Sequence, residues 1–396
     1  MTALGDKALQ IAQSLIRCES VTPADAGALE VLISALKPAR FTFWRLNFKD
    51  DDTPPVDNLY ARFGDGPPHL CFAGHVDVVP PGDFAAWRHP PFAAEISDGV
   101  LYGRGASDMK GAIACFTAAA LDYIKSRSRE LDGTISLLIT GDEEGPAING
   151  TSKVLAWMKE QGERPDHCLV GEPTNLKRIG ESLKIGRRGS LNGILKVTGV
   201  QGHVAYPHLA NNPVKGLVKI LARLYDTPLD YGSAHFSPSN FEVTSVDVGN
   251  PTTNIIPATV EARFNVRFND RHSAESLKAH FNEQAALALA SSDLSLSIDF
   301  EPPSGSFLTD PGQLDALVSE AINAVTGLTP SLSTDGGTSD ARFIKEYCPV
   351  VEFGLTTASI HKADEHVAVA DLETLTAVYR RFIALYFETF GGADAG

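Results

Sequence analysis

The sequence predicts an α/β protein, with a mostly parallel central sheet flanked by helices and an inserted α+β domain. Three observations carry that expectation. Short apolar runs alternate with helical patterns through the first half of the chain, the order in which parallel βαβ units are written. Near residue 185 the texture changes to half-exposed, alternating strands accompanied by two helices, the pattern of an antiparallel sheet with one covered face. After about residue 300 the first texture returns. A chain of 396 residues also suits two domains better than one core. The expected limits are 1–186 with 300–396 for a larger, discontinuous domain and 187–299 for the insertion.

Taken in order, Ala3–Arg17 and Ala26–Leu36 have apolar residues at helical spacing. Leu70–Val79 reads as a strand ended by Pro80-Pro81-Gly82, and Gly111–Lys125 as a helix rich in Ala and Ile. Gly133–Thr140 and the shorter His167–Val170 read as buried strands. In the insertion, Ser190–Thr198 and Thr259–Phe268 alternate as strands do, while Pro213–Tyr225 and Ala274–Leu289 read as helices. Helix Gly312–Thr326, strand Val350–Phe353 and helix Asp371–Phe387 close the chain.

Composition removes several functions. The net charge of −15 argues against nucleic acid, which needs a basic surface. The longest apolar runs have strand length, so no membrane span is expected. Met1–Arg17 lacks the charged start, apolar stretch and cleavage site of a signal peptide, which points to a cytoplasmic protein. Five scattered cysteines without a Cys-x-x-Cys pair read as reduced core thiols.

Five clusters carry chemistry. In Gly74-His75-Val-Asp77-Val-Val-Pro, residues two apart on a strand face one side. A metal-binding imidazole needs its other N–H held, and Asp77 can do that; taken alone, the pair is commonly an ordinary surface or core contact. Gly103-Arg-Gly-Ala-Ser-Asp108-Met-Lys-Gly111 precedes a helix, so Asp108 could cap it, bridge two metals, or both. Glu143 and Glu144 follow the Gly133–Thr140 strand; there one could bind metal while the other acts as general base, although adjacent acids in a turn are often merely solvated. Glu172 stands just past a short apolar strand, and His361 in the polar loop Ser359–Glu365. Each stands at or near a strand end, where open α/β sheets bind ligands. His and carboxylate ligands without thiolate suit zinc, and one bridging carboxylate with one His and one Glu per ion would build a two-metal site.

These strings, with Gly-Arg187-Arg188-Gly-Ser190, Gly-Val-Gln-Gly-His203-Val-Ala-Tyr-Pro, Asn254-Ile-Ile-Pro and Gly-Gly-Thr338-Ser-Asp-Ala-Arg, resemble the aminoacylase/carboxypeptidase family of two-zinc hydrolases. Within that family they look most like a branch that cleaves succinylated amino acids. The resemblance implies a zinc-hydrolase catalytic domain. His75, Asp108 and Glu172 would hold one Zn²⁺, and Asp108, Glu144 and His361 a second, with Co²⁺ able to substitute. Glu143 would be the general base and Asp77 the partner of His75. The inserted domain would make a homodimer, and His203 would cross to the neighbouring site to donate to the developing oxyanion. The substrate would be a small molecule with several carboxylates, bound by Lys184, Arg187, Ser190, Asn254, Arg267 and Thr338. Arginine suits this because its fork meets a carboxylate with two parallel hydrogen bonds. The implied reaction is hydrolysis of a succinyl amide, with an acetyl-amide deacylase or a dipeptidase of the same family as the alternative. Two positions depart from that branch: Asp335 stands where Ser is usual, and Thr357, four residues before His361, where Asn is usual. Both fall where substrate carboxylates are expected.

Overall fold

The computed structural model describes residues 2–50, 52–127 and 130–391. Met1 and residues 392–396, which end the expected larger domain, lie outside them. The chain forms two compact units. The first is Met1–Ile185 with Thr309–Ser333 and Ser339–Gly396, and the second is Gly186–Leu308 with Thr334–Thr338.

The first unit is built on an eight-stranded sheet in the order Thr42–Phe48, Val56–Asp65, Gly133–Thr140, His69–His75, His167–Val170, Val350–Glu352, Ser182–Lys184 and Ser331–Ser333. The four central strands, Gly133–Thr140 to Val350–Glu352, run parallel. The first two strands form an antiparallel hairpin added at one edge. Every residue of His69–His75 and Gly133–Thr140 is buried, as expected of strands covered on both faces.

Register shows what covers each face. Tyr60 lies opposite Leu138, and Leu138 opposite Ala73, so these three share a face. Trp157 of helix Thr151–Glu160 packs there against Tyr60 and Trp44. Phe72 points the other way. It stacks on Phe116 of helix Lys110–Ser126 at 4.2 Å between ring centroids. Tyr379 of helix Val369–Phe390 meets both rings edge-on. Helices Ala3–Ile16, Lys110–Ser126 and Val369–Phe390 pack on one another.

One strand is shorter than its apolar run. The expected Leu70–Val79 leaves the sheet at His75, because Val78 bridges to Val21 of the N-terminal segment and its N–H donates to Ser20 O. The run remains buried but changes partner.

The second unit is a four-stranded antiparallel sheet ordered Asn240–Asp247, Thr259–Phe268, Gly189–Thr198 and Ser295–Phe300. Alternate residues of Thr259–Phe268 are buried. Phe264 and its neighbours pack with Phe281 and Leu277 of helix Ala274–Leu289 and with Leu217 and Ile220 of helix Pro213–Asp226. The unit continues beyond 299 because Ser295–Phe300 pairs along Gly189–Thr198 and Phe307–Leu308 pairs with Gly186–Arg187. Thr334–Thr338 also belongs to it, which places Thr338 here instead of in the larger domain expected from sequence.

Among the described residues no helix is long and apolar enough to cross a membrane. All five cysteines are free thiols. Phe281, fully enclosed between Phe264 and Phe241, is the test of the second core. Phe281→Ala should lower the unfolding free energy in urea by about 3–5 kcal/mol.

Candidate metal centre

Sheet register assembles this site. His75 lies opposite Thr140, and Ala73 opposite Val170. Residues just past Thr140 and Val170 therefore emerge beside His75 at the carboxyl edge of the parallel strands, where neighbouring strands stand roughly 4.8 Å apart. Those residues are Glu143, Glu144 and Glu172. Asp108 arrives in the turn before helix Lys110–Ser126. Gly105 adopts a positive φ of 84° in that turn, a conformation glycine takes without penalty. Gly171 matters for a different reason: a Cβ there would lie 2.6 Å from Phe72 and 2.8 Å from the Met109 methyl. Only glycine lets the Glu172 segment lie so close to the Asp108 turn.

Asp108 faces two imidazoles. Its Oδ1 is 3.3 Å from His75 Nε2, and its Oδ2 is 3.4 Å from His361 Nε2. His75 Nε2 is also 3.5 Å from Glu172 Oε1 and 3.9 Å from Glu143 Oε2. His361 Nε2 is 3.0 Å from Glu144 Oε1. Asp108 does not cap the helix: the cap position is Met109, with no side-chain cap bond. Ligand atoms of His75, Asp108 and Glu144 all lie within 4.8 Å of one another, as do those of His75, Glu143 and Glu172, and His361 meets both Asp108 and Glu144. His75 Nε2 and Asp108 Oδ1 are buried yet complete no hydrogen bond among the described residues. Buried polar atoms are normally satisfied, so this exception and the clustered oxygen and nitrogen donors fit bound divalent metal.

Asp77 differs from its expected role. Its backbone carbonyl, 2.8 Å from His75 Nδ1, accepts the imidazole N–H, while its carboxylate stands 3.7 Å from that nitrogen. The carboxylate instead accepts from the backbone N–H groups of Glu143 at 3.3 Å and Glu144 at 3.0 Å. The strand ends at His75, so the two side chains do not stand side by side on a pleat. Asp77 fixes the His75 tautomer through its backbone and holds the Glu143–Glu144 turn through its side chain.

The electrostatics follow from burial and crowding. Burial works to discharge His75, but Asp108, Glu172, Glu143 and Asp77 outweigh it and hold the imidazole proton well above the usual range. Asp108 and Glu144 raise His361 to about 10. Burial, then Glu172, pushes the Glu143 carboxyl well up. Burial also works to raise Asp108, but His361 and His75 overcome it and keep this carboxyl well below the usual range. Burial lifts Asp77 to about 6. Without metal the cluster stores protons at neutral pH, which cations would displace.

The remaining expected site residues are elsewhere. Lys184 is a buried residue ending a strand of the first unit. The others belong to the second unit. Ser190 and Arg267 are register partners on neighbouring strands, and Asn265 Nδ2 donates to Ser190 Oγ at 3.0 Å. Burial and nearby Arg188 pull the Arg267 pKa down, and no carboxylate pairs with Arg267 among the described residues. Arg187 Nη1 donates to Gly337 O at 3.0 Å, next to Thr338. His203 is exposed and pairs with Ile255, next to Asn254, whose carbonyl accepts from Val204 N–H. His203 Nδ1 accepts from Ala205 N–H at 3.0 Å, which makes Nε2 the proton-bearing nitrogen of the neutral ring. Of the two departures, Asp335 is exposed in the second unit, whereas Thr357 lies in the first, its N–H 2.7 Å from Asn175 O.

Sequence reading missed three supports. Asp142 is buried and accepts from the N–H groups of Ala147, Ile148 and Asn149, organising the loop after the two glutamates. Asp340 is buried and adds negative charge near Glu143. Glu365 binds the Asp108 turn. Asp142 directly precedes Glu143, Asp340 lies two residues after Thr338, and Glu365 ends the loop that carries His361. Their acidity was visible; their long-range partners were not.

The chain matches Peptidase family M20/M25/M40 over residues 71–385. It is 57% identical over 381 residues to a succinyl-diaminopimelate desuccinylase of Rhodopseudomonas palustris, covering 96% of this chain and 98% of that relative. Among solved structures, an aminopeptidase of Bacillus cereus superposes with a TM-score of 0.76 at 19% identity, covering 96% and 98% of the two chains. A Bacillus subtilis protein described as a dinuclear metal binding peptidase superposes with a TM-score of 0.72 at 18% identity, covering 98% of each.

Asp108 faces both imidazoles, whereas Glu144 reaches His361, so mutation can separate their contributions to metal binding. Asp108→Ala should abolish tight binding of both ions, whereas Glu144→Ala should weaken one, as read by metal analysis after dialysis. Divalent-ion affinity should also rise with pH. Below about 10 the metal-free His361 carries a proton that an ion must displace, so each step toward alkaline buffer lowers that cost. Chelator competition in mildly acidic and mildly alkaline buffer measures it, and an affinity independent of pH would contradict the proton storage.

Proposed function

The chain belongs to the M20/M25/M40 peptidase family, and from that premise we propose that it is an amide hydrolase acting on N-succinyl-LL-2,6-diaminopimelate. The products are succinate and LL-2,6-diaminopimelate, an intermediate of lysine biosynthesis. The observation that carries this reading is near-full-length identity of 57% to a desuccinylase, in a chain whose Glu143 stands 3.9 Å from His75 within a centre bridged by Asp108.

His75, Asp108 and Glu172 hold one zinc ion in this reading, and Asp108, Glu144 and His361 the second, with cobalt able to replace either. Such ions supply Lewis acidity to the amide carbonyl and acidify a water molecule. Glu143 takes the proton of the attacking water as the new C–O bond forms. It then delivers that proton to the leaving nitrogen as the C–N bond breaks, giving a carboxylate and a free amine. Burial, which raises Glu143 above the ordinary carboxylate range, favours the first duty, because a carboxylate of higher pKa is the stronger base.

The second unit provides recognition and dimerisation in the same reading. Arg267, with Arg187, Ser190, Asn254 and Thr338, meets the substrate carboxylates, and Lys184 of the first unit joins them. The partner subunit's His203 donates from Nε2 to the oxyanion that develops on the carbonyl.

Succinate release from N-succinyl-diaminopimelate, set against acetate release from N-acetylornithine, tests the substrate. Preference for the acetyl substrate would overturn it. Glu143→Gln should lose at least about 10²-fold in kcat, the low end for a general base, while metal content stays native. Arg267→Ala should weaken the succinylated substrate by about 1.5–3 kcal/mol in KM. Mixing inactive Glu143→Ala and His203→Ala proteins should restore turnover after subunit exchange. Exchange without any recovered activity would place His203 outside the neighbouring site.

A further inference from the structure

His361 is the least anchored of the metal-facing residues. Its backbone is left-handed, with φ of 59°, as is that of Asp364 at 55°, and its side chain is half exposed. His75, by contrast, ends a fully buried strand, and Asp108 is followed by Met109, Lys110 and Gly111, all enclosed. Something outside the loop must hold His361 toward Asp108.

Glu365 meets that need. Strand His366–Ala368 pairs antiparallel with Val100–Tyr102, with His366 opposite Tyr102. That register puts Glu365 beside Gly103, whose N–H donates to Glu365 O at 2.8 Å. The Glu365 side chain is fully enclosed and turns into the Asp108 loop. Its Oε1 accepts from Ser107 N–H at 3.0 Å and Asp108 N–H at 3.1 Å. Its Oε2 accepts from Gly105 N–H at 3.1 Å and Arg104 Nη1 at 2.7 Å. Arg104 is equally buried, and its remaining contacts reach two further loops. Nη1 donates to Lys362 O at 3.2 Å, one residue from His361, and Nη2 to Pro80 O at 3.4 Å, in the segment after Asp77. The guanidinium lies 5.2 Å from the Trp87 ring centroid, which closes its outer side. A buried ion pair whose carboxylate accepts from four donors is costly to break and favours one geometry.

We propose that the Arg104–Glu365 pair is the positioning element of the two-ion centre, locking the His361 loop to the Asp108 turn so that the Asp108–Glu144–His361 side can bind its ion. Neither residue touches metal or substrate. Glu365 acts through the backbone N–H of Asp108, and Arg104 through the backbone carbonyl of Lys362, next to His361. The loss on breaking the pair falls mainly on the His361 side, because buried strands hold His75 and Glu172 without it and the enclosed Met109–Gly111 segment still anchors Asp108 from the helix.

The inference rests on the two-ion reading above, and the test separates the two. Zn²⁺ is titrated into the metal-free full chain, with stepwise affinities read by chelator competition and the imidazole NMR signals of His75 and His361 reporting which side fills. Glu365→Gln keeps the shape but turns an amide NH₂ toward N–H donors. It should leave His75-side affinity within about threefold of native and weaken His361-side affinity about 10- to 100-fold, as loss of a ligand's supporting partner does. Arg104→Lys keeps the charge but loses the fork, and should shift the same side in the same direction by less. Fewer than two ions on the unaltered chain would overturn the two-ion reading. Two ions there, with Glu365→Gln native at both sides or weakened equally at both, would overturn the role of the pair. Should Glu365→Gln fail to fold by circular dichroism, Arg104→Lys decides by the same criteria.

Discussion

Asp108, set between two imidazoles, is the constraint on which the rest of the centre depends. Its oxygens look in opposite directions, to His75 at 3.3 Å and to His361 at 3.4 Å. A single carboxylate can do this only if the strand carrying His75, the turn before the Lys110–Ser126 helix and the loop before strand His366–Ala368 arrive at one place. The enclosed sheet supplies the first, helix packing the second and Glu365 the third.

Four carboxylates gathered about two histidines would not persist as a purely structural feature. Burying like charges is expensive, and a buried cluster neutralises itself by taking up protons or by binding cations. The shifts of His75, His361 and Glu143 are the first response, and the close groups of His75 with Asp108 and Glu144, and with Glu143 and Glu172, allow the second. The Arg104–Glu365 pair beside them follows the opposite rule. There the carboxylate finds four donors, so it is spent on shape. Asp108 Oδ1 and His75 Nε2, by contrast, complete no hydrogen bond among the described residues, so they remain open to a cation.

The two units divide the chemistry by residue type. The first gathers histidines and carboxylates at the carboxyl edge of a parallel sheet. The second presents Arg267, Ser190 and exposed His203 on an antiparallel framework whose one covered face supplies its stability. Metal binding needs the rigidity of enclosed strands. In the proposed reading, the donors on the face that packing leaves free would serve recognition of a charged substrate.

Much of the fold was legible because hydrophobic period follows secondary structure directly. The apolar runs at Gly133–Thr140 and His167–Val170 are the buried parallel strands, and the alternation in Thr259–Phe268 is its buried and exposed faces. Part of the candidate site was legible too, since Glu143, Glu144 and Glu172 stand just past those strands, where local pattern and position coincide. Sequence alone thus determined the residue types, the elements and the edge at which they meet. Register was not legible. The end of the first central strand at His75, the turn of Asp77's carboxylate toward Glu143 and Glu144, the continuation of the second unit to Leu308 and the reach of Glu365 to Asp108 each depend on a partner distant in sequence. Only tertiary structure decided those, because hydrogen-bond direction and strand pairing are settled by which backbone groups remain unsatisfied once the chain has folded, and no local pattern records that.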